Sequence, residues 1–215
     1  MQRVLVATSN EGKIRDLVGA AAAHDIQIAT LPGFAKLPTV VEDGLTFEAN
    51  ARKKAEHYSH YSAGELVIAD DSGLVVDALQ GAPGVRSARY AADEHNAAEH
   101  AANSGDAANN ARLLRELYDV PEEFRNGRFV CVIAVARNGH MLATFHGQAE
   151  GIILHAPRGS NGFGYDPLFF FPEIEKTFAE LTAAEKSKYS HRGAAFRQFL
   201  EWADHGGDLH PHNAQ

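Results

Sequence analysis

Two adjacent carboxylates, Asp70 and Asp71, stand at the end of the apolar run Leu66 to Ala69 and precede Ser72 and Gly73. Charges at a strand terminus are a common way for an α/β sheet to build a ligand crevice. Carboxylate oxygens suit magnesium, which takes one or two acids from a protein and completes its shell with water and substrate phosphates. In a regular strand neighbouring side chains point to opposite faces, so the two acids need not share a site. A simple Asp-Ser-Gly turn between two short strands, Leu66 to Asp70 and Leu74 to Leu79, is the competing reading. Upstream, Glu42 offers a further metal oxygen, and Asn50 and Lys54 fall four apart on one helix face. A neutral donor beside a cation suits a phosphate, although a solvated charged face has the same spacing.

Other segments carry the same anionic theme. Thr8-Ser9-Asn10-Glu11-Gly12-Lys13 lies between a strand and a helix, where free backbone N–H groups and the helix dipole favour an anion. Plain capping by Ser9 or Asn10 is the alternative. Ala7 stands where the first glycine of a Walker A loop belongs and Ile14 where its Ser/Thr would be, which disfavours P-loop kinase chemistry. Gly159 to Pro167 places Phe163 between Gly162 and Gly164, so backbone and ring can approach a flat ligand, with Tyr165 and Asp166 following. Lys186, His191 and Arg192 crowd positive charge near the start of the last helix. In the turn Gly81 to Tyr90, Arg89 offers a planar fork to a phosphate or a base. The pairs His57/His60, His95/His100 and His210/His212 have no accompanying cysteine at zinc spacing and read as solvent-exposed. Cys131, the single cysteine, reads as a buried, inert thiol.

The elements that must hold these groups follow from periodicity. Val4 to Thr8 and Gln27 to Leu31 read as strands; Ile14, Leu17, Val18 and Ala21 share a helix face; Phe47, Ala51 and Ala55 share another. A helix covers Asn110 to Leu117. Arg128 to Ala136 and Met141 to Leu154 form a hairpin through Asn138-Gly139. Thr182 to Glu185 is a capping box, and Arg192 to Ala203 is the last helix. The expectation is an α/β fold with an elongated mixed sheet flanked by helices: one domain over 1–204 and a flexible tail over 205–215. Residues 91–110 read as a surface loop or weak helix.

With 215 residues, 45% hydrophobic and 22% charged, the chain has the composition of a soluble globular domain. No apolar run approaches the ~20 residues of a membrane span. Met1 and Gln2 lead directly into a strand, so no signal peptide is expected and a cytoplasmic location is. Twenty Lys and Arg against 28 Asp and Glu give a formal charge of −8, which disfavours nucleic acid as a partner.

In order and spacing these segments resemble one family closely. Thr-Ser-Asn-x-Gly-Lys, Glu-x-Gly-x-Thr-Phe-x-x-Asn-Ala, Ala-Asp-Asp-Ser-Gly-Leu, Gly-Ala-Pro-Gly-Val-x-Ser-Ala-Arg-Tyr, Gly-Phe-Gly-Tyr-Asp-Pro and Ser-His-Arg-Gly are similar to those of the non-canonical purine nucleoside triphosphate pyrophosphatases, the inosine triphosphatase or dITP/XTP diphosphatase family. The resemblance implies Mg²⁺-dependent hydrolysis of ITP, dITP and XTP to the monophosphate and pyrophosphate, by a homodimer whose two lobes flank a central nucleotide-binding cleft. By position, Thr8, Ser9, Asn10, Glu11, Gly12 and Lys13 would hold the triphosphate, with Asn50 and Lys54 near the phosphates. Asp71 would accept a proton and ligate metal, Glu42 would be the second metal carboxylate, and Ser72 a substrate contact. Phe163, Gly164, Tyr165, Asp166, Lys186, His191 and Arg192 would grip base and phosphates. Ser9 replaces a more common glycine, Val41 replaces a second acid, and 91–110 is longer than usual. A related pyrophosphatase for other modified nucleotides and a non-catalytic nucleotide sensor are the alternatives.

Overall fold

A computed structural model describes residues 2–21, 24–92 and 103–206 of the chain. The His95/His100 and His210/His212 pairs, half of the expected loop and most of the expected tail therefore lie outside the described residues.

Seven strands form one mixed sheet in the order β2-β1-β3-β4-β5-β6-β7. Strand β1 (Gln2–Val6) runs parallel to β2 (Ile26–Thr30) and to β3 (Leu66–Val76), with α1 (Glu11–Ala21) and α2 (Phe47–Ser59) in the two connections. Parallel neighbours need such crossovers, and the helices cover both sheet faces. The other pairings are antiparallel: β3 with β4 (Asn126–Arg137), β4 with β5 (His140–Ile153), then the short β6 (Phe169–Phe171) and β7 (Lys176–Thr177). Asn138 and Gly139 turn the hairpin with φ of 50° and 81°, the positive values a two-residue turn of matching twist requires.

The expected break at Asp71-Ser72-Gly73 does not occur. Strand β3 continues through it, paired to β4 from Val67↔Ala136 to Val76↔Gly127, and Asp77–Leu79 forms a 3-10 turn rather than strand. The polar triplet breaks the apolar run but not the ladder, because β4 pairs each residue.

Residue parity along the central strands assigns the core. Val4, Val6, Leu66 and Ile68 face Leu17 of α1 and Phe196, Phe199 and Leu200 of α5 (His191–Asp204). Leu5, Ala7, Val67 and Ala69 face Ala51, Ala55 and Tyr58 of α2. Val18, expected inside, is exposed; Leu17 and Ala21 carry the buried stripe of α1. A further cluster gathers Leu74, Val76, Phe129, Phe169 and Phe178 with Leu113 and Leu117, at the end of α3 (Asp106–Glu116). That helix starts before Asn110, within a stretch that has no apolar periodicity to announce it. Arg125 is wholly buried there and donates to the carbonyls of Ile153 (2.7 Å), Leu117 (2.5 Å) and Leu154 (3.0 Å). Helix α4 (Ala183–Tyr189) carries the expected capping box of Thr182 and Glu185.

Gly147 of β5 is where the sheet admits α5. A Cβ there would meet the His191 carbonyl at 2.1 Å and the Ala195 nitrogen at 2.5 Å. Gly147→Ala should push α5 outward, at the ~1–3 kcal/mol typical of overpacking. The urea midpoint is expected to fall with the slope unchanged; an unmoved midpoint would show that the helix yields freely.

Candidate active site

The parity that assigns the core also separates the two acids. Asp70 continues the Leu66–Ile68 face toward α1 and α5; Asp71 continues the Val67–Ala69 face toward α2.

On the first face, Lys13 of α1 lies 2.9 Å from the Asp70 carboxylate. Arg192 of α5 gives both Nε and Nη2 to Asp70 Oδ2 at 3.3 Å, Nη2 to Ser72 Oγ at 2.9 Å and Nη1 to Asp16 at 3.1 Å. Burial alone would raise the Asp70 pKa, but Lys13, Arg192 and Lys54 outweigh it and hold the carboxyl far below the usual range. Beneath it sits Cys131, fully buried and with its thiol pushed up to about 12, chiefly by burial, so the inert reading stands.

On the second face, Asp71 accepts from Asn50 Nδ2 at 3.1 Å and from Lys54 Nζ at 3.4 Å. Lys54 also donates to Glu42 Oε2 at 2.8 Å. Burial dominates at Asp71 and, with the Glu42 charge, exceeds the opposing pull of Lys54, Lys13 and the Asn50 bond; the net shift is upward. The same strand thus carries one carboxyl locked as an anion and one with increased proton affinity. Asn50 and Lys54 are buried, not a solvated face; Asn50 is itself fixed by accepting from the Gly44 N–H at 2.8 Å.

Both faces open onto a cavity of about 390 Å³, within the ~300–1,000 Å³ of small-molecule sites. Thr8, Ser9, Asn10 and Lys13 line it, as do Glu42, Lys54, Asp71 and Ser72. Asn10 also caps α1: its Oδ1 accepts from the Lys13 N–H at 3.1 Å. Glu11 and Gly12 do not line the cavity; Glu11 is exposed, and Gly12 packs under the Phe163 ring, which a Cβ would meet at 2.8 Å.

Phe163, Gly164, Tyr165 and Asp166 also line the cavity. Asp166 accepts from the Phe163 N–H at 2.9 Å and from buried Lys186, whose ammonium lies 4.6 Å from the Phe163 ring centroid. Its carboxyl is pushed up by burial despite Lys186. His191 is buried and stacked on Phe129, with centroids 4.7 Å and planes 9° apart. Burial first, then Arg192 and Lys186, drive its pKa well below the ordinary value, so it is neutral at physiological pH; its Nδ1 has no partner. Two of the three expected cations, Lys186 and Arg192, therefore do gather at this helix start, but internal carboxylates balance them and His191 adds no charge. Ser190 Oγ caps the helix by accepting from the Gly193 N–H at 3.1 Å. Tyr165 is buried in the aromatic cluster, its hydroxyl donating to the Ser87 carbonyl at 2.8 Å.

The sequence presents Asp70 only as the neighbour of Asp71 and gives no role to Asp16, Asp106 or Asn110. Asp16 falls three residues after Lys13 on α1, a spacing that could have indicated a shared face. Asp106 and Asn110 clamp Gly164, one accepting from its N–H at 2.7 Å and the other donating to its carbonyl at 2.9 Å. Nothing in their local pattern announces this.

A seven-stranded mixed sheet with a cleft of buried lysines, arginine and carboxylates beside an aromatic wall defines an α/β protein built to take a flat, anionic ligand. The Ham1 family model matches residues 4–202, and the chain belongs to that family. It is 50% identical over 198 residues to a dITP/XTP pyrophosphatase of Acidobacterium capsulatum, covering 91% of this chain and 95% of that protein. It is 47% identical over 204 residues to a dITP/XTP pyrophosphatase of Lactobacillus acidophilus, covering 93% and 96%. A Ham1 protein structure from Coxiella burnetii superposes with a TM-score of 0.81 at 35% identity, over 95% of this chain and all (100%) of that one. The Staphylococcus aureus Ham1 protein gives 0.79 at 35% identity over 95% and 100%.

The two aspartates should differ in stability as they do in surroundings. Asp70→Asn leaves partly buried Lys13 and buried Arg192 short of a counter-charge and should cost ~3–5 kcal/mol. A depressed carboxyl pKa stabilises above the ordinary carboxylate range and loses that contribution as pH falls, so the deficit should narrow toward about pH 3. Asp71 has the opposite sign: its raised pKa contributes stability that is present below the ordinary carboxylate range and lost as pH rises through the folded value, and Lys54 keeps Glu42 as a partner, so Asp71→Asn should cost less than Asp70→Asn at neutral pH. Denaturant titration of both variants checks this, and a destabilised Asp71→Asn beside an unaffected Asp70→Asn would reverse the assignment.

Proposed function

We propose that this chain hydrolyses non-canonical purine nucleoside triphosphates (ITP, dITP and XTP) to the monophosphate and pyrophosphate, which would cleanse the nucleotide pool. The observation that carries this reading is Asp71, a buried carboxyl of raised proton affinity, set against Glu42 and Lys54 in the cavity that holds Phe163 and neutral His191. A water attacking a phosphorus of the triphosphate must lose a proton, and a carboxylate whose pKa is lifted toward neutrality is a better acceptor. Lys54 and Lys13 supply positive charge as the phosphate oxygens gain negative charge.

Magnesium belongs to this proposal. Glu42 and Asp71 both converge on the Lys54 ammonium, and the Glu42 charge raises the Asp71 pKa, as expected of two acids placed to share a cation. Among the described residues no third acid, histidine or cysteine joins them. Two hard oxygens fit magnesium, which keeps water and phosphate in its remaining positions. When bound, the ion would neutralise the phosphates and polarise the bond to be cleaved.

Choice of base follows from donors and acceptors. A 6-keto oxygen accepts, whereas adenine's 6-amino group donates and would leave a site donor unmet. Of the candidate donors, Arg192 has given its N–H groups to Asp70, Asp16 and Ser72, while neutral His191 has Nδ1 unpartnered. As its Nδ1–H tautomer His191 would read the 6-keto oxygen, with Phe163 stacking on the base. A homodimer, on the strength of the family resemblance, and a cytoplasmic location complete the reading. No helix among the described residues is long and apolar enough to cross a membrane.

Pyrophosphate release from ITP, dITP, XTP, ATP, GTP and CTP, with and without Mg²⁺, checks the proposal. Metal-dependent activity concentrated on ITP, dITP and XTP is expected, with the 6-keto contact discriminating against ATP and CTP but not by itself against GTP; equal rates on all six would discard the base-recognition account. Asp71→Asn should cut turnover by about 10²–10⁴-fold. Near-normal turnover in that variant would remove Asp71 from the mechanism.

A further inference from the structure

The cations that line the cavity are Lys13, Lys54, Arg89, Lys186 and Arg192. Four of them are committed: Lys13 to Asp70, Lys54 to Glu42 and Asp71, Lys186 to Asp166, and Arg192 to Asp70 and Asp16. Arg89 alone has no carboxylate partner among the described residues. Its Nη2 makes one long contact, to the Glu42 carbonyl at 3.5 Å, and its buried Nε has no partner.

A guanidinium presents five N–H donors in a rigid, planar fork that matches two oxygens of a phosphate or carboxylate. A buried donor left unmet is costly, so a structure that holds one beside an open cavity is short of an acceptor there. Arg89 is also held firmly. It ends the 3-10 turn Gly84–Arg89, whose Ser87 accepts from the Leu74 N–H of β3 at 2.9 Å and donates to the Gly84 carbonyl at 2.6 Å. Tyr165 fixes the same turn from the aromatic wall through the Ser87 carbonyl. The contact with Glu42, which meets Lys54, which meets Asp71, sets Arg89 on the carboxylate side of the cavity.

We propose that Arg89 is a binding residue for the polyphosphate arm of the nucleotide, its fork taking the non-bridging oxygens of a phosphoryl group beside Glu42 and Asp71. This rests on the nucleoside triphosphate reading above and deepens it: among the described residues Arg89 is the cavity cation without a carboxylate partner, so no ion pair among them has to break for it to take an anion. Phosphate fits better than carboxylate because Glu42 and Asp71 already concentrate negative charge nearby, and a shared divalent cation would bridge phosphate to both.

Calorimetric binding of inorganic pyrophosphate in Mg²⁺, with inosine as the phosphate-free control, tests the assignment without relying on turnover. Arg89→Ala is expected to weaken pyrophosphate at least about tenfold, the scale of a lost charge-assisted hydrogen bond, and to raise KM for ITP in parallel. Inosine affinity should stay within about twofold, since no phosphate contact is lost. Arg89→Lys, which keeps the charge but not the fork, should fall between. Where Arg89→Ala does not fold, Arg89→Gln is read in its place with the same expectation. Pyrophosphate affinity within about twofold of the parent in the folded variant would overturn the assignment, as would a parent protein that binds no pyrophosphate. Failure to hydrolyse any triphosphate, with pyrophosphate binding still dependent on Arg89, would sink the enzymatic reading and leave this one standing.

Discussion

A β-strand reverses its side chains at every residue, and two adjacent aspartates in a strand covered on both faces cannot share one set of partners. Strand β3 meets this constraint by giving each acid its own helix: Lys13 and Arg192 reach Asp70 from α1 and α5, and Asn50 and Lys54 reach Asp71 from α2. The rest of the site depends on that division. An isolated buried carboxylate is not tolerated, so the helices must deliver cations to these positions, and the sheet must be wide enough for them to pack on both faces. Because the cations differ in number and approach, the two carboxyls end in opposite electrostatic states, one clamped as an anion and one eager for a proton.

The clamped acid has a structural consequence beyond its own charge. Asp70 draws together the start of α1, the middle of β3 and the start of α5, which are far apart in sequence, and Ser72 and Asp16 complete the same network through Arg192. Arg192 is thereby a strut, while its neighbour His191 is left neutral against Phe129. A protein of net charge −8 thus places Lys54, Lys186 and Arg192 around one cavity, held by internal acids, while buried Arg125 serves backbone carbonyls elsewhere.

Much of this was legible in the sequence, for physical reasons. The hairpin at Asn138-Gly139, the Thr182 capping box and the stripes of α2 and α5 follow from local rules, and the structure has them. The segments assigned to the site largely converge on one cavity, because their motifs carry both turn chemistry and function. What local patterns could not supply was long-range. Asp71-Ser72-Gly73 looks like a turn until β4 is seen to pair with it. Lys186 and Arg192 look like free cations until Asp166, Asp70 and Asp16 arrive from other elements. Tyr165 lines the cavity, but its packing in the aromatic cluster and its hydroxyl's bond to Ser87 come from other elements. The clamp of Asp106 and Asn110 on Gly164 sits in a helix whose first turn lacks any apolar period.

The central claim is that one strand holds its two neighbouring carboxyls in opposite protonation regimes. Carbon-13 NMR titration of labelled aspartate side chains, assigned through the two Asn variants, reads both directly. The account predicts that Asp71 titrates above the ordinary value of about 3.9 while Asp70 stays ionised well below it. Asp70 titrating above Asp71, or both at the ordinary value, would contradict it.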